Sequence, residues 1–380
     1  MPVETLTNSV QTDSAGTATV HAVAPKHARF PALDGLRGTA FLLILLCHSH
    51  DVLWADSHSP VHVQVFDKLL LWAGGYALDL FFVLSAFLIT GILLKTKDSP
   101  DYFKNFYAKR ALRLLPAYYL LLLVVFAGSF FIQHGVGDAT HWFFLIVNFV
   151  NVIQTIENKW SFGPASHCWS LALEEQFYLV WSVLVKYLNQ RSLSAICISG
   201  FVAAPFLRYV MRHCFHNIIF PHEFRLDGLF VGALLCFAMQ RRSVEQLQKP
   251  ASIVLFFSAI AAVIAIISLP LEHEMRRVVL PTICSVTGGA LLVKAIGQSY
   301  IKQFFDMQAL KTVGLYSYGM FLFHWPIVRV IEPYWHLNFL PIEISWALFL
   351  VLVFALTAGI SVISFKFVEM PALRLKHLFQ

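Results

Sequence analysis

Charge is scarce in this sequence. Only 13% of its 380 residues are Asp, Glu, Lys or Arg, against about 25% in an average soluble domain. That shortage excludes a globule with a solvated, charged face all round. Cysteine is also sparse, with six residues and no C-x-x-C pair. Most of the six lie in apolar runs and read as small buried hydrophobes. Cys47 and Cys168 keep a second reading, as a disulfide or an acyl-cysteine. The chain has no H-E-x-x-H, no G-x-S-x-G, no Walker motif and no Cys/His metal spacing, so no metal is assigned. It has no fixed-period repeat. Its first 28 residues lack a basic segment followed by an apolar one, which excludes a signal peptide. They read as a disordered cytoplasmic tail.

What is abundant is apolar sequence. Hydrophobic residues make up 58% of the chain and mean hydropathy is +0.66. Long apolar runs recur to the end, so the predicted fold is an all-α polytopic membrane protein. About ten spans are expected: 36–53, 69–94, 112–133, 169–188, 193–211, 226–239, 253–269, 278–296, 312–331 and 344–365. A stretch at 142–153 is apolar but too short to cross unaided, and reads as re-entrant or interfacial. The net charge of +6 is scattered between spans rather than gathered in a patch, which excludes nucleic acid as a partner. With the N-terminus inside, most of the 28 Lys and Arg fall on the cytoplasmic side. Both termini are therefore expected there, in a multi-pass membrane protein. The membrane body runs over 29–376, with 377–380 as a short cytoplasmic end.

Polar groups inside apolar spans are costly and point to function. Arg37 and His48 are eleven positions apart, three helical turns and about 20°, so both lie on one stripe. They are separated by roughly 16 Å along the axis. Arg37 is either a positive-inside anchor or a ligand, with Asp34 beside it. His48 is either a hydrogen-bonded core histidine or a base near mid-depth. Arg110 and Arg113 share a helix face at i, i+3 in the most basic loop, where two guanidinium forks suit a phosphorylated ligand. Glu174 and Glu175 lie a turn inside a span, at a depth similar to that of His48, with Tyr178 on the face of Glu174. They are either partners of the His48 imidazole in general-base chemistry or ends of a salt bridge to Arg208 or Arg225. Asp79, Ser85, Arg225, Asp227 and His324 complete the set. Each alone reads as structural; together they suggest a polar cavity inside the bundle.

Six stretches run in order over nearly the whole chain. They are Leu33-Asp-Gly-Leu-Arg37 with ten residues before His48, Asp79-Leu-Phe-Phe-Val-Leu-Ser85-Ala-Phe-Leu, Arg110-Ala-Leu-Arg113, Trp169-Ser-Leu-Ala-Leu-Glu-Glu-Gln-Phe-Tyr178, Tyr316-Ser-Tyr with His324-Trp-Pro, and Val368-Glu-Met-Pro371. With these the chain resembles the bacterial integral-membrane acyltransferase-3 family, whose members acylate surface polysaccharides, lipopolysaccharide, peptidoglycan and small glycosylated molecules such as macrolides. That family usually has Ser-Gly-Phe-Leu where this chain has Ser85-Ala86-Phe87-Leu88, a change that still permits close helix packing. The chain's end at Gln380 implies a stand-alone form without an esterase-like soluble domain. The resemblance implies a cytoplasmic acyl-CoA donor, acetyl-CoA above all, with no bound cofactor. Arg37, Arg110 and Arg113 would meet its phosphates. His48 would be base or covalent relay, with Glu174 or Glu175 as its partner. The acceptor would be a sugar hydroxyl of a glycan or lipid-linked glycan. A transporter or flippase of a lipid-linked glycan is the competing reading, although the chain lacks the inverted symmetry that transporters often show. A scaffold for polysaccharide machinery is a third.

Overall fold

A computed structural model describes residues 30–53, 61–132, 138–157, 162–214, 225–268, 274–335 and 340–379. The expected N-terminal tail lies outside the described residues. All ten expected spans are helical: α1 Pro31–Leu53, α2 Val61–Thr96, α3 Tyr102–Ile132, α6 Trp169–Tyr187, α7 Gln190–Cys214, α8 Asp227–Arg241, α9 Val244–Ser268, α10 Glu274–Ile296, α12 Gln308–Ile331 and α13 Ile342–Ser364. Short helices α4 (Ala139–Ile146), α5 (Val150–Glu157), α11 (Tyr300–Phe305) and α14 (Met370–Arg374) connect them. The apolar stretch at 142–153 is thus divided between α4 and α5, neither long enough to cross a bilayer. Asn148 stands between them at φ 56°, a left-handed conformation that Asn tolerates.

Among the described residues, seven helices are long and apolar enough to cross a membrane: α1, α2, α3, α7, α9, α10 and α13. The other three expected spans are those that carry polar groups or are short. Of the ten expected spans α8 is the shortest at 15 residues, about 22 Å. It is shielded by α2, α7 and α10, which pack around it. The spanning windows of α1, α2 and α10 are each 61% buried, whereas that of α9 is 17% buried. The first group therefore forms an inner layer and α9 an outer one. The outward faces of α3, α9 and α13 show Leu123, Phe256, Phe257 and Val351, as lipid-facing helices require.

Hydropathy underestimates two helices. α2 extends to 36 residues. α3 begins at Tyr102, so Lys104, Lys109, Arg110 and Arg113 lie on a helix and not in the expected loop. A helix satisfies its own backbone and continues into the aqueous layer without apolar side chains. The true connection, Lys97–Asp101, is closed by Lys97 donating to Leu188 O at 2.8 Å and Lys186 to Lys97 O at 2.6 Å.

Small residues bring the inner helices together. A Cβ on Gly314 would lie 1.7 Å from Asp34 O, and one on Gly38 would lie 2.1 Å from Leu310 O. α1 and α12 therefore touch backbone to backbone, side by side and parallel. A Cβ on Gly232 would meet Val83 O at 2.2 Å and the methyl of Ala86 at 3.0 Å. Gly232 of α8 thus makes room for Ala86, which is fully buried. The five cysteines whose side chains are described, Cys47, Cys168, Cys197, Cys236 and Cys284, are buried, as the small-hydrophobe reading expects.

Candidate active site

Helices α1, α2, α3, α6 and α12 enclose a cavity of about 350 Å³, within the range of small-molecule sites. Helix register orders its wall. Along α2 it runs from Ile92 through Ser85 to Leu78, and along α6 from Glu174 and Glu175 to Ser170 and Leu171, so that Leu78, Ser170, Leu171 and Phe321 form the floor, while Lys109, Arg110 and Arg113 follow one another on α3. Arg37, far from the pair Arg110 and Arg113 in the chain, converges with them on this wall. Lys109 and Lys376 join them, and cations outnumber the two carboxylates. Neither lysine carries a motif of its own in the sequence, where Lys109 is one more base of the basic stretch beside Arg110. Lys376 is brought in by the chain after α13, where a π-helical turn at Phe365–Glu369 redirects the backbone.

Two of the cavity cations are locally held. Arg37 Nη1 donates to Asp34 at 2.9 Å, one helical turn away. The Arg110 guanidinium lies 4.8 Å from the centre of the Tyr178 ring, a cation–π contact. Tyr178 and Ser85 both donate to Glu174 Oε1, and their hydroxyls lie 3.0 Å apart. Glu174, Ser85 and Tyr178 are therefore one cluster in the cavity wall, built from α2 and α6. The neighbouring face of α6 is fixed by Gln176, which exchanges hydrogen bonds with Asn151 at 2.9 and 3.0 Å.

The expected pairing of His48 with Glu174 or Glu175 is corrected by the structure. His48 Nδ1 lies 2.8 Å from His324 Nε2, with the two rings stacked at 5.1 Å. Among the described residues no hydrogen bond joins His48 to either glutamate. Depth in the bundle fixes one coordinate only. Glu174 faces α2, whereas the far end of α1 faces α12. His167, two residues before the α6 stretch Trp169–Tyr178, is the third member of a histidine cluster, with its ring 5.3 Å from that of His324. It sits on a 3₁₀ turn, Gly163–Cys168, that follows the Gly-Pro break. Trp325 and Phe41 complete the surroundings at 4.9 Å from His48 and 5.9 Å from His324.

None of the three histidines lines the cavity. Phe321 connects the two places: it forms part of the floor, and its ring packs 5.4 Å from His167 and 5.6 Å from His324. The cluster is thus one aromatic side chain beyond the cavity.

Asp79, Arg225 and Asp227 do not line the cavity either, which corrects their expected place. Arg225 grips Asp79 through two hydrogen bonds of 3.1 and 2.9 Å. Arg208 grips Asp227 at 2.5 and 3.2 Å and also donates to Val278 O and Thr282. These two arginines therefore hold aspartates and not the α6 glutamates. The result is a closed ionic network that ties α2, α7, α8 and α10 together.

Comparison with known proteins agrees with this architecture. A family described as an acyltransferase domain, acyltransferase-3, matches residues 30–366. A peptidoglycan O-acetyltransferase, OatA, of Listeria monocytogenes is 29% identical over 376 residues, covering 90% of this chain and 55% of the relative. An O-acetyltransferase OatA of Staphylococcus aureus is 25% identical over 369 residues, covering 90% of this chain and 57% of the relative. The chain thus spans little more than half the length of these curated relatives. No solved structure matches it. With that family covering most of its length, this multi-pass membrane chain belongs to the acyltransferase-3 family.

Proposed function

We propose that this protein is a membrane O-acyltransferase that moves an acyl group, acetyl in the first instance, from acyl-CoA to a sugar hydroxyl of a cell-envelope glycan. The observation that carries the reading is the convergence of Arg37, Lys109, Arg110, Arg113 and Lys376 on one cavity that also holds Glu174 and Ser85. A cationic mouth over an apolar floor fits a ligand with phosphates at one end and a short acyl group at the other. The named activities of the OatA relatives favour a peptidoglycan or related glycan as acceptor. Positive charge at the mouth favours the cytoplasmic side of a bacterial inner membrane for the donor, with both termini on that side.

In this mechanism the arginines and lysines hold the donor's phosphates, and the thioester points to the floor. His48 takes the proton of the acceptor hydroxyl. The oxygen forms a bond to the acyl carbon, the carbon–sulfur bond breaks, and the CoA thiolate leaves and is protonated. Phe321 stands between the two halves and turns aside for them to meet.

Replacing His48 with Ala is expected to abolish glycan O-acylation while the protein still accumulates in the membrane. Mass spectrometry of the envelope glycans reads this directly. Unchanged ester content would refute the proposal. Turnover of acetyl-CoA by purified protein separates an acyltransferase from a flippase, which would leave the thioester intact.

A further inference from the structure

The far part of α12 reads His324-Trp325-Pro326. Proline has no N–H, so the carbonyl four residues earlier, that of Leu322, loses its intrahelical donor. His167 Nε2 occupies it at 3.1 Å. One residue before, Phe321 O receives His324 Nδ1 at 2.7 Å. Two successive carbonyls of one helix are thus each bonded to an imidazole.

The direction of these bonds follows from elementary chemistry. A carbonyl oxygen only accepts, so His324 Nδ1 carries a proton. His324 is fully buried, against Phe41, Phe321, His167 and His48. Among the described residues no carboxylate bonds to it. A second proton would leave an unpaired cation in these surroundings, which is strongly unfavourable. His324 Nε2 is therefore a lone pair. His48 Nδ1, 2.8 Å away, can only donate to it. A neutral imidazole has one proton, and in His48 that proton is committed to Nδ1. His48 Nε2 is bare, and among the described residues nothing bonds to it.

We infer that α12 sets the tautomer of His48 through His324, keeping His48 Nε2 as a standing lone pair for the hydroxyl of the acceptor. The inference rests on the proposed role of His48 as base. An unassisted histidine favours the opposite tautomer, with its proton on Nε2, and such an imidazole cannot accept a proton there. His324 is a positioning residue: it touches neither donor nor acceptor, and it acts by accepting the Nδ1–H of His48. In the serine proteases a wrongly held histidine tautomer lowers kcat about ten-thousandfold, which bounds the effect from above.

The test is nitrogen NMR of the full chain in nanodiscs, with histidine labelled by ¹⁵N. Shifts of neutral imidazoles separate protonated from bare nitrogens, and His48 is assigned by its loss in His48→Gln. The unsubstituted protein is expected to show His48 with a protonated Nδ1 and a bare Nε2. His324→Gln places an amide oxygen near the former Nε2 and is expected to keep that tautomer. It should retain turnover of acetyl-CoA with a soluble peptidoglycan fragment to within about tenfold. His324→Leu removes the acceptor and is expected to move the His48 proton to Nε2. It should lower kcat between about a hundredfold and ten-thousandfold, with KM for acetyl-CoA unchanged. A proton on Nε2 of His48 in the unsubstituted protein overturns the inference, and so does an unmoved tautomer in His324→Leu. If the tautomers are as inferred and no acetyl transfer occurs, the acyltransferase reading falls and the tautomer relay of α12 stands.

Discussion

At the scale of single residues, two kinds of neighbour build the site: Arg110 and Arg113 share the cavity wall at i, i+3 within one helix, with Arg37 beside them, whereas His324 reaches His48 from 276 positions away. Charge-assisted hydrogen bonds contribute about 1.5–3 kcal/mol each. Arg110→Ala is therefore expected to raise KM for acetyl-CoA by roughly ten- to a hundredfold, with kcat less affected, as steady-state kinetics would show. Glu174 gives a sharper contrast, because Tyr178 and Ser85 both donate to it. Glu174→Gln retains an acceptor oxygen, whereas Glu174→Ala lets Tyr178 donate to Ser85 and strands the remaining hydroxyl proton at about 1–3 kcal/mol. Thermal unfolding in detergent should rank the Ala variant well below the Gln variant.

At the scale of elements, hydropathy found every long helix and misplaced some ends. It sees the apolar part of a helix only, so α3 was assigned from residue 112 although its hydrogen bonds begin at Tyr102. The difference matters because Lys109 and Arg110, which precede residue 112, are carried into the cavity wall by the helix. Helix proximity was not readable from hydropathy at all; it is written in the glycines. Gly38 and Gly314 allow α1 and α12 to meet at backbone distance, and this contact brings Arg37 to the cavity and His48 to His324. Gly314→Leu has no space at Asp34 O, and overpacking costs about 1–3 kcal/mol or more. It is expected to lower the unfolding temperature and to abolish transfer, although it removes no polar group. Pro326→Ala acts oppositely in space and similarly in effect. It restores an N–H that competes with His167 for Leu322 O, and the ¹⁵N shift of His167 should move.

At the scale of the whole molecule, two polar systems coexist. One is the cavity with its cations; the other is the closed network of Arg208, Asp227, Arg225 and Asp79. The sequence offered them as a single cavity, because composition does not distinguish a buried ion that meets a ligand from one that meets its counter-ion. Breaking one partner of such a pair costs about 3–5 kcal/mol, whereas replacing both by apolar residues is often neutral or stabilising. Asp227→Ala alone should destabilise the bundle strongly, and Arg208→Met with Asp227→Leu should recover much of the loss in the same unfolding assay. Phe321 has a different significance at this scale: it is electrical insulation. On one side of its ring are two carboxyl groups in a cavity wall, and on the other are three imidazoles. A water wire between them would let protons drain from acid to base and quench the very lone pair that accepts from a hydroxyl. The ring interrupts that circuit with a single side chain.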